Sequence, residues 1–138
     1  MTTMVTGGCL CGAVRYASTA MPAMMVNCHC RDCQRALGSA YFPSTVFAAG
    51  DFTLTQGEPK YYDVTADSGN RISRGFCREC GSFVVGRNAA HPQMVFVSGA
   101  NLDDPTIFKA SLDMFVASAQ PWDHMDPALP KILGFPLV

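Results

Sequence analysis

Apolar and polar residues alternate over short stretches of this chain, and glycine or proline interrupts them about every ten residues. Side chains on an extended strand point to opposite faces in turn, so this punctuation predicts short strands rather than long helices. Residues 14–17 and 24–28 read as strands on either side of a turn at Pro22. Residues 44–48 and 52–56 are separated by Ala49-Gly50-Asp51, which predicts a hairpin-like break. Residues 60–65, 71–76, 83–86 and 94–98 continue the pattern with β-branched and aromatic side chains.

Helix signals are few. Residues 32–37 predict a short helix that ends at Gly38, with Asp32 suited to capping it. A helical turn is predicted near Asp104 and Pro105, where Asp supplies the cap and Pro the first helical position. From Gln120 the tail holds four prolines and is predicted to wrap the surface in extended form. No repeat, low-complexity tract or long linker divides the chain. The expectation is a mainly β fold in which residues 1–138 form a single domain, its sheets brought together around metal.

Composition narrows the function classes. Of 138 residues, 49% are hydrophobic and 15% charged, which suits a packed core and argues against disorder. A formal net charge of -1 provides no basic footprint for a phosphate backbone, so nucleic-acid binding is not expected. The N-terminus lacks the basic start and apolar stretch of a signal peptide, and apolar runs such as residues 20–26 are too short for a bilayer. A cytoplasmic protein in a reducing compartment, with no membrane partner, is therefore expected. Oligomeric state is left open: Phe115 and Trp122 are candidates for a homodimer contact, or else pack the tail onto the core.

Seven cysteines stand out in such a compartment. Their number is odd, and close Cys-X-Cys pairs would strain a disulfide, so their clustering points to metal. Cys77-Arg78-Glu79-Cys80-Gly81 suits a tight metal-binding turn, with two thiolates converging and glycine relaxing the backbone beyond them. Cys9-Leu10-Cys11-Gly12 is the natural completing pair. Four thiolates make a closed, tetrahedral structural zinc site that clamps together segments roughly 65 residues apart. A redox role for Cys77 and Cys80 lacks its strand–helix context, because Phe83-Val84-Val85 reads as strand. Arg74, Arg78 and Arg87 either offset the charge of these thiolates or are surface charges.

The second cluster, Cys28-His29-Cys30-Arg31-Asp32-Cys33, packs three thiols into one short stretch. Alternation sends Cys28 and Cys30 to one face, and a turn into the helix brings Cys33 round to meet them. Three protein ligands with an open fourth position is the pattern of catalytic zinc, although a closed site completed by another residue stays open at this point. His29 points to the opposite face and is expected to pack or hydrogen-bond rather than ligate. His91 and His124 lie in polar loops and read as surface histidines. A substrate thiol entering the open position would be held as thiolate at neutral pH. Arg31 and Arg35 flank the cluster and could receive the carboxylates of an anionic thiol such as glutathione, or simply solvate the helix.

Three blocks of the chain carry a resemblance. They are Gly7-Gly8-Cys9-Leu10-Cys11-Gly12-Ala13-Val14-Arg15-Tyr16, then Cys28-His29-Cys30-Arg31-Asp32-Cys33-Gln34-Arg35, then Arg74-Gly75-Phe76-Cys77-Arg78-Glu79-Cys80-Gly81-Ser82. Together they resemble the glutathione-dependent formaldehyde-activating enzyme family, which also includes the centromere protein V domain. The resemblance implies a β-tent fold and two zinc ions per chain. Structural zinc falls to Cys9, Cys11, Cys77 and Cys80, and catalytic zinc to Cys28, Cys30 and Cys33. The activity implied is that of a carbon–sulfur lyase, forming S-hydroxymethylglutathione from formaldehyde and glutathione or reversing that step. Two readings from other classes stay open: a carrier of a thiol or thiol adduct without turnover, and a zinc-stabilised interaction module.

Overall fold

The structure, a computed structural model, describes residues 2–135, so the end of the tail with Pro136 lies outside the described residues. In chain order it forms β1 (Val5–Gly8), β2 (Arg15–Ser18), β3 (Met24–Cys28), α1 (Arg31–Leu37), β4 (Phe42–Ala48) and β5 (Phe52–Gln56). These are followed by β6 (Lys60–Thr65), β7 (Arg71–Phe76), β8 (Phe83–Asn88), β9 (Met94–Ser98) and the two-residue β10 (Asp113–Met114). The fold is mainly β, as expected. Among the described residues no helix is long and apolar enough to cross a membrane.

The strands form two sheets. A small antiparallel sheet has the order β1-β2-β5, and a seven-stranded sheet has the order β10-β3-β4-β9-β8-β7-β6. All neighbours in the larger sheet are antiparallel except β10 and β3. β4 and β5 follow one another in sequence but do not pair. A 3-10 turn at Ala49–Asp51 carries the chain out of the large sheet, and β5 then joins β2 in the small one. The expected hairpin is thus a crossover between sheets.

The reason lies in side-chain alternation along β4 and β9. Phe47, Val95 and Val97 face the small sheet and pack there with Val5, Tyr16 and Phe52. Phe42 and Phe96 face the other way and pack with Val26, Met114 and Cys33, beneath α1 and the tail. Strands that are apolar on both sides need cover on both sides.

Two strands were not anticipated. β1 contains Gly7 and Gly8, which argue against a strand on propensity alone. The position requires glycine because a Cβ on Gly7 would lie 2.4 Å from the Tyr16 hydroxyl and 2.6 Å from the Asn101 carbonyl oxygen. β10 is too short to carry a pattern. It exists because Asp113 and Met114 lie beside Asn27 and Cys28 of β3.

The tail is extended only in part: it turns at residues 121–122 and 127–129 and meets the sheet at Lys131 beside Asp113, where Ile132 N–H donates to the Asp113 carbonyl at 2.9 Å. Phe115 stacks on Phe135 at 6.2 Å between centroids, so it packs the tail, whereas Trp122 stays exposed. Substituting Gly7→Ala forces β1 away from Tyr16. Urea unfolding followed by far-UV circular dichroism is expected to show a loss of about 1–3 kcal/mol.

Candidate metal centres and an adjoining chamber

The first cluster forms where the two sheets meet. Cys9 follows β1 and Cys77 follows β7, and each begins a tight turn closed by a backbone bond. Gly12 N–H donates to the Cys9 carbonyl at 3.2 Å, and Gly81 N–H to the Cys77 carbonyl at 2.9 Å. Both glycines have left-handed backbones, with φ of 81° and 77°, which explains why each cysteine pair is followed by glycine. Leu10 N–H donates to the Ser82 hydroxyl at 3.1 Å and ties one turn to the other.

The sulfurs of Cys9, Cys11, Cys77 and Cys80 all lie within 4.8 Å of one another. The Cys9–Cys11 and Cys11–Cys77 separations are both 3.7 Å. A tetrahedron with metal–sulfur bonds of about 2.3 Å has sulfur–sulfur edges of about 3.8 Å, so the four thiols fit a closed tetrahedral metal site. Val14 N–H and Glu79 N–H donate to the sulfurs of Cys9 and Cys77 at 3.3 and 3.4 Å. Ser82, through its hydroxyl and its N–H, pulls the Cys80 thiol down to about 5. These donors stabilise thiolate charge at the four-cysteine cluster.

The second cluster is built by the end of β3 and the start of α1. Cys28 closes the strand, Cys30 is the helix N-cap and Cys33 lies in the first turn. The three sulfurs lie within 4.8 Å of one another, with Cys28 and Cys33 3.5 Å apart. Among the described residues, no histidine, carboxylate or further cysteine joins them as a fourth ligand. Helix capping falls to Cys30 rather than Asp32, because the Cys30 sulfur accepts from Cys33 N–H at 3.3 Å. A candidate ligand is thereby locked into the local helix geometry.

Arg74 also differs from its expected place. Its side chain comes to the three-cysteine cluster, donating to the Cys33 sulfur at 3.7 Å. It sits within β7, ahead of Cys77, and reaches the face of the sheet that α1 covers. Hydrogen bonds from Cys28 and Cys33, with Cys33 N–H and the charge of Arg74, draw the Cys30 thiol down to about 3. Its neighbour Cys28 is pushed up by its bonds to Cys30 and Cys33 and by burial. The surroundings thus favour the thiolate at Cys30, the form in which a cysteine binds metal.

His29 is buried and turned away from the sulfurs, as alternation predicted. Its Nδ1 faces Asp123 Oδ2 at 2.6 Å and its Nε2 faces Asp113 Oδ1 at 2.8 Å. Asp113 also accepts from Asn27 at 3.0 Å and pairs with Lys131 at 3.2 Å. Burial works to raise the Asp113 pKa, but the bonds from His29, Asn27 and Lys131 outweigh it and hold the carboxyl below its ordinary range. Gln34, buried in α1, donates to the carbonyls of His29 and Ser118 at 2.8 and 3.0 Å. This polar network straps the tail over the cysteine loop. The signal for it in the sequence is an acid inside an apolar run, Leu112-Asp113-Met114-Phe115.

A chamber of about 160 Å³ opens beside the three cysteines, walled mostly by apolar side chains such as Val26, Phe42, Ile72 and Phe96. Arg31, Asp32 and Arg74 line it as well, whereas Arg35 is exposed on the far side of α1 and His124 is exposed in the tail.

The sequence profile of the glutathione-dependent formaldehyde-activating enzymes matches residues 4–118, which takes in both cysteine clusters. The chain belongs to this family. A crystal structure of a Rhodobacter sphaeroides protein is similar in fold, with a TM-score of 0.57 and 23% identity over 72% of this chain and 88% of the other. Both metal-ligand sets named by the family resemblance correspond to groups of thiols that converge in this member.

Asp113→Ala leaves His29 facing a single carboxylate and loosens the tail. The expected loss at neutral pH is about 3–5 kcal/mol in urea unfolding. Because the folded-state pKa of Asp113 is depressed, its contribution is present above about pH 4 and is lost as pH falls through the folded value. The gap between parent and variant is therefore expected to narrow in acid.

Proposed function

We propose that the chain is a zinc-dependent carbon–sulfur lyase acting on a small-thiol adduct, with S-hydroxymethylglutathione formed from formaldehyde and glutathione, or broken down to them, as the family reaction. The observation that carries this reading is the three-thiol cluster, on the wall of a chamber and without a fourth ligand among the described residues. A closed set of four suits structure, and an open set of three suits chemistry. In this reading Cys9, Cys11, Cys77 and Cys80 hold structural zinc, and Cys28, Cys30 and Cys33 hold the catalytic ion, two per chain, within one cytoplasmic domain.

Zinc bound at the three cysteines supplies Lewis acidity that keeps a substrate thiol deprotonated at neutral pH. The protein's own residues do the rest. Cys30 is fixed by its cap bond and Cys28 by its place at the end of β3, and all three cysteines line the chamber. Arg74 adds positive charge beside the Cys33 sulfur and steadies the excess negative charge there. Arg31, held by Gln34 at 3.1 Å, is placed to meet a carboxylate of the thiol substrate. His29 holds the loop to the tail through Asp113 and Asp123, and it reaches no sulfur. The reacting sulfur bonds to the carbonyl carbon, the π pair moves to oxygen, and oxygen takes up the proton that the thiol released.

Elemental analysis of protein purified under reducing conditions without chelator is expected to find about two zinc per chain. Cys30→Ser is expected to keep its fold and one zinc while turnover falls at least about 100-fold. Cys77→Ser is expected to unfold, because it opens the clamp between the sheets. Equal unfolding by both variants overturns the division into structural and catalytic sites. Thiol binding by a parent protein that shows no turnover makes it a carrier instead.

A further inference from the structure

The chamber is larger and more apolar than formaldehyde needs. Formaldehyde has no substituent on its carbonyl carbon and occupies a small part of about 160 Å³. Glutathione is ionic at both ends, and the apolar stretch of wall made by Val26, Phe42, Val46, Ile72 and Phe96 gives those ends no partner, the polar lining lying at the cysteines and at Asp67, Ser68, Asn70 and Asn88. Placing charge against the apolar stretch without a partner is strongly unfavourable. Both cations that line the chamber and could serve glutathione's carboxylates stand at the cysteine end: Arg31 lies beside Cys30 and Cys33 on α1, and Arg74 touches the Cys33 sulfur. The apolar remainder of the chamber is thus left free beside the place where a carbon–sulfur bond would form. An apolar cavity of about 150 Å³ takes up benzene, so this volume suits one ring or a short branched alkyl group.

We propose that the carbonyl partner preferred at this site is an aldehyde bearing a benzene-sized or short branched-alkyl group, seated in the chamber with its carbonyl carbon toward the three cysteines. The proposal rests on the lyase reading above. Its chemistry balances without oxidant or reductant. The thiol sulfur bonds to the aldehyde carbon, the carbonyl π pair becomes an oxygen lone pair, and the proton lost by sulfur passes to that oxygen. The reverse breaks the carbon–sulfur bond and returns the proton to sulfur.

The test uses the full chain loaded with zinc, with glutathione as the thiol and phenylacetaldehyde and formaldehyde as competing carbonyl substrates. Benzyl alcohol, which has the ring but neither thiol nor aldehyde, reports on the chamber alone through changes in the protein's NMR spectrum. Ile72→Trp fills the chamber from β7, and Val46→Phe fills it from β4 should the first variant fail to fold. The parent is expected to favour phenylacetaldehyde in kcat/KM, and filling is expected to lower that preference at least about tenfold. Benzyl alcohol affinity is expected to fall by a similar factor. General damage to the fold lowers both rates and leaves their ratio in place, so an unchanged ratio in a folded, filled variant overturns the proposal. Turnover of formaldehyde in preference to phenylacetaldehyde overturns the proposal and leaves the lyase reading standing. Turnover of neither overturns both.

Discussion

β4 and β9 lie at the centre of the large sheet with apolar side chains on both faces, and neither face can be left to water. Phe47, Val95 and Val97 demand cover on one side, and Phe42 and Phe96 demand it on the other. At about 1.5–3 kcal/mol for each such side chain fully buried, the two faces supply much of the stabilisation against chain entropy. The small sheet covers the first face. α1 and the tail cover the second. Every other feature of the molecule follows from how those two covers are attached.

Each cover is fastened by polar chemistry at its margin, because apolar contact has no direction and cannot set register by itself. The small sheet is pinned through the four-cysteine cluster, in which Cys9 and Cys77 are also members of the hydrophobic core. The tail is pinned through His29, where Asp113 and Asp123 bracket one buried imidazole. The two fastenings differ in kind. Sulfurs about 3.7 Å apart around a common centre suit a cation, whereas a ring with a carboxylate on each nitrogen is already saturated. His29 therefore has no nitrogen left for a metal, although its neighbours in sequence both contribute to the open cluster.

The chamber is a by-product of the same arrangement. The second cover does not close completely over the sheet, and the gap runs along Val26, Phe42 and Phe96 to the three sulfurs. The two cations of the lining stand at the cysteine end, Arg31 at the start of α1 and Arg74 beside the Cys33 sulfur, while Asp67, Ser68, Asn70 and Asn88 line the chamber elsewhere. The three-cysteine cluster thus sits between Arg31 and Arg74 on one side and the apolar stretch of the chamber on the other. Such a border suits ligands that combine a charged group with an apolar one.

The cysteine spacing, with glycine closing each pair of the four-cysteine set, determined which sulfurs belong together, because ligand geometry is a local property that short motifs can encode. Alternation determined the mainly β class and the turn of His29 away from the sulfurs, because extended backbone sends successive side chains to opposite faces. What spans the chain was decided only by the tertiary structure. β1 and β10 exist through contacts with Tyr16 and β3 that no local pattern reports. The step from β4 to β5 became a crossover because two-sided burial, rather than turn chemistry, chose the partner of each strand. Arg74 serves the three-cysteine cluster, and Asp113 and Asp123 serve His29, across separations of 41, 84 and 94 residues. Those partnerships come from burial, which forces polar groups to find whichever complement the fold brings near.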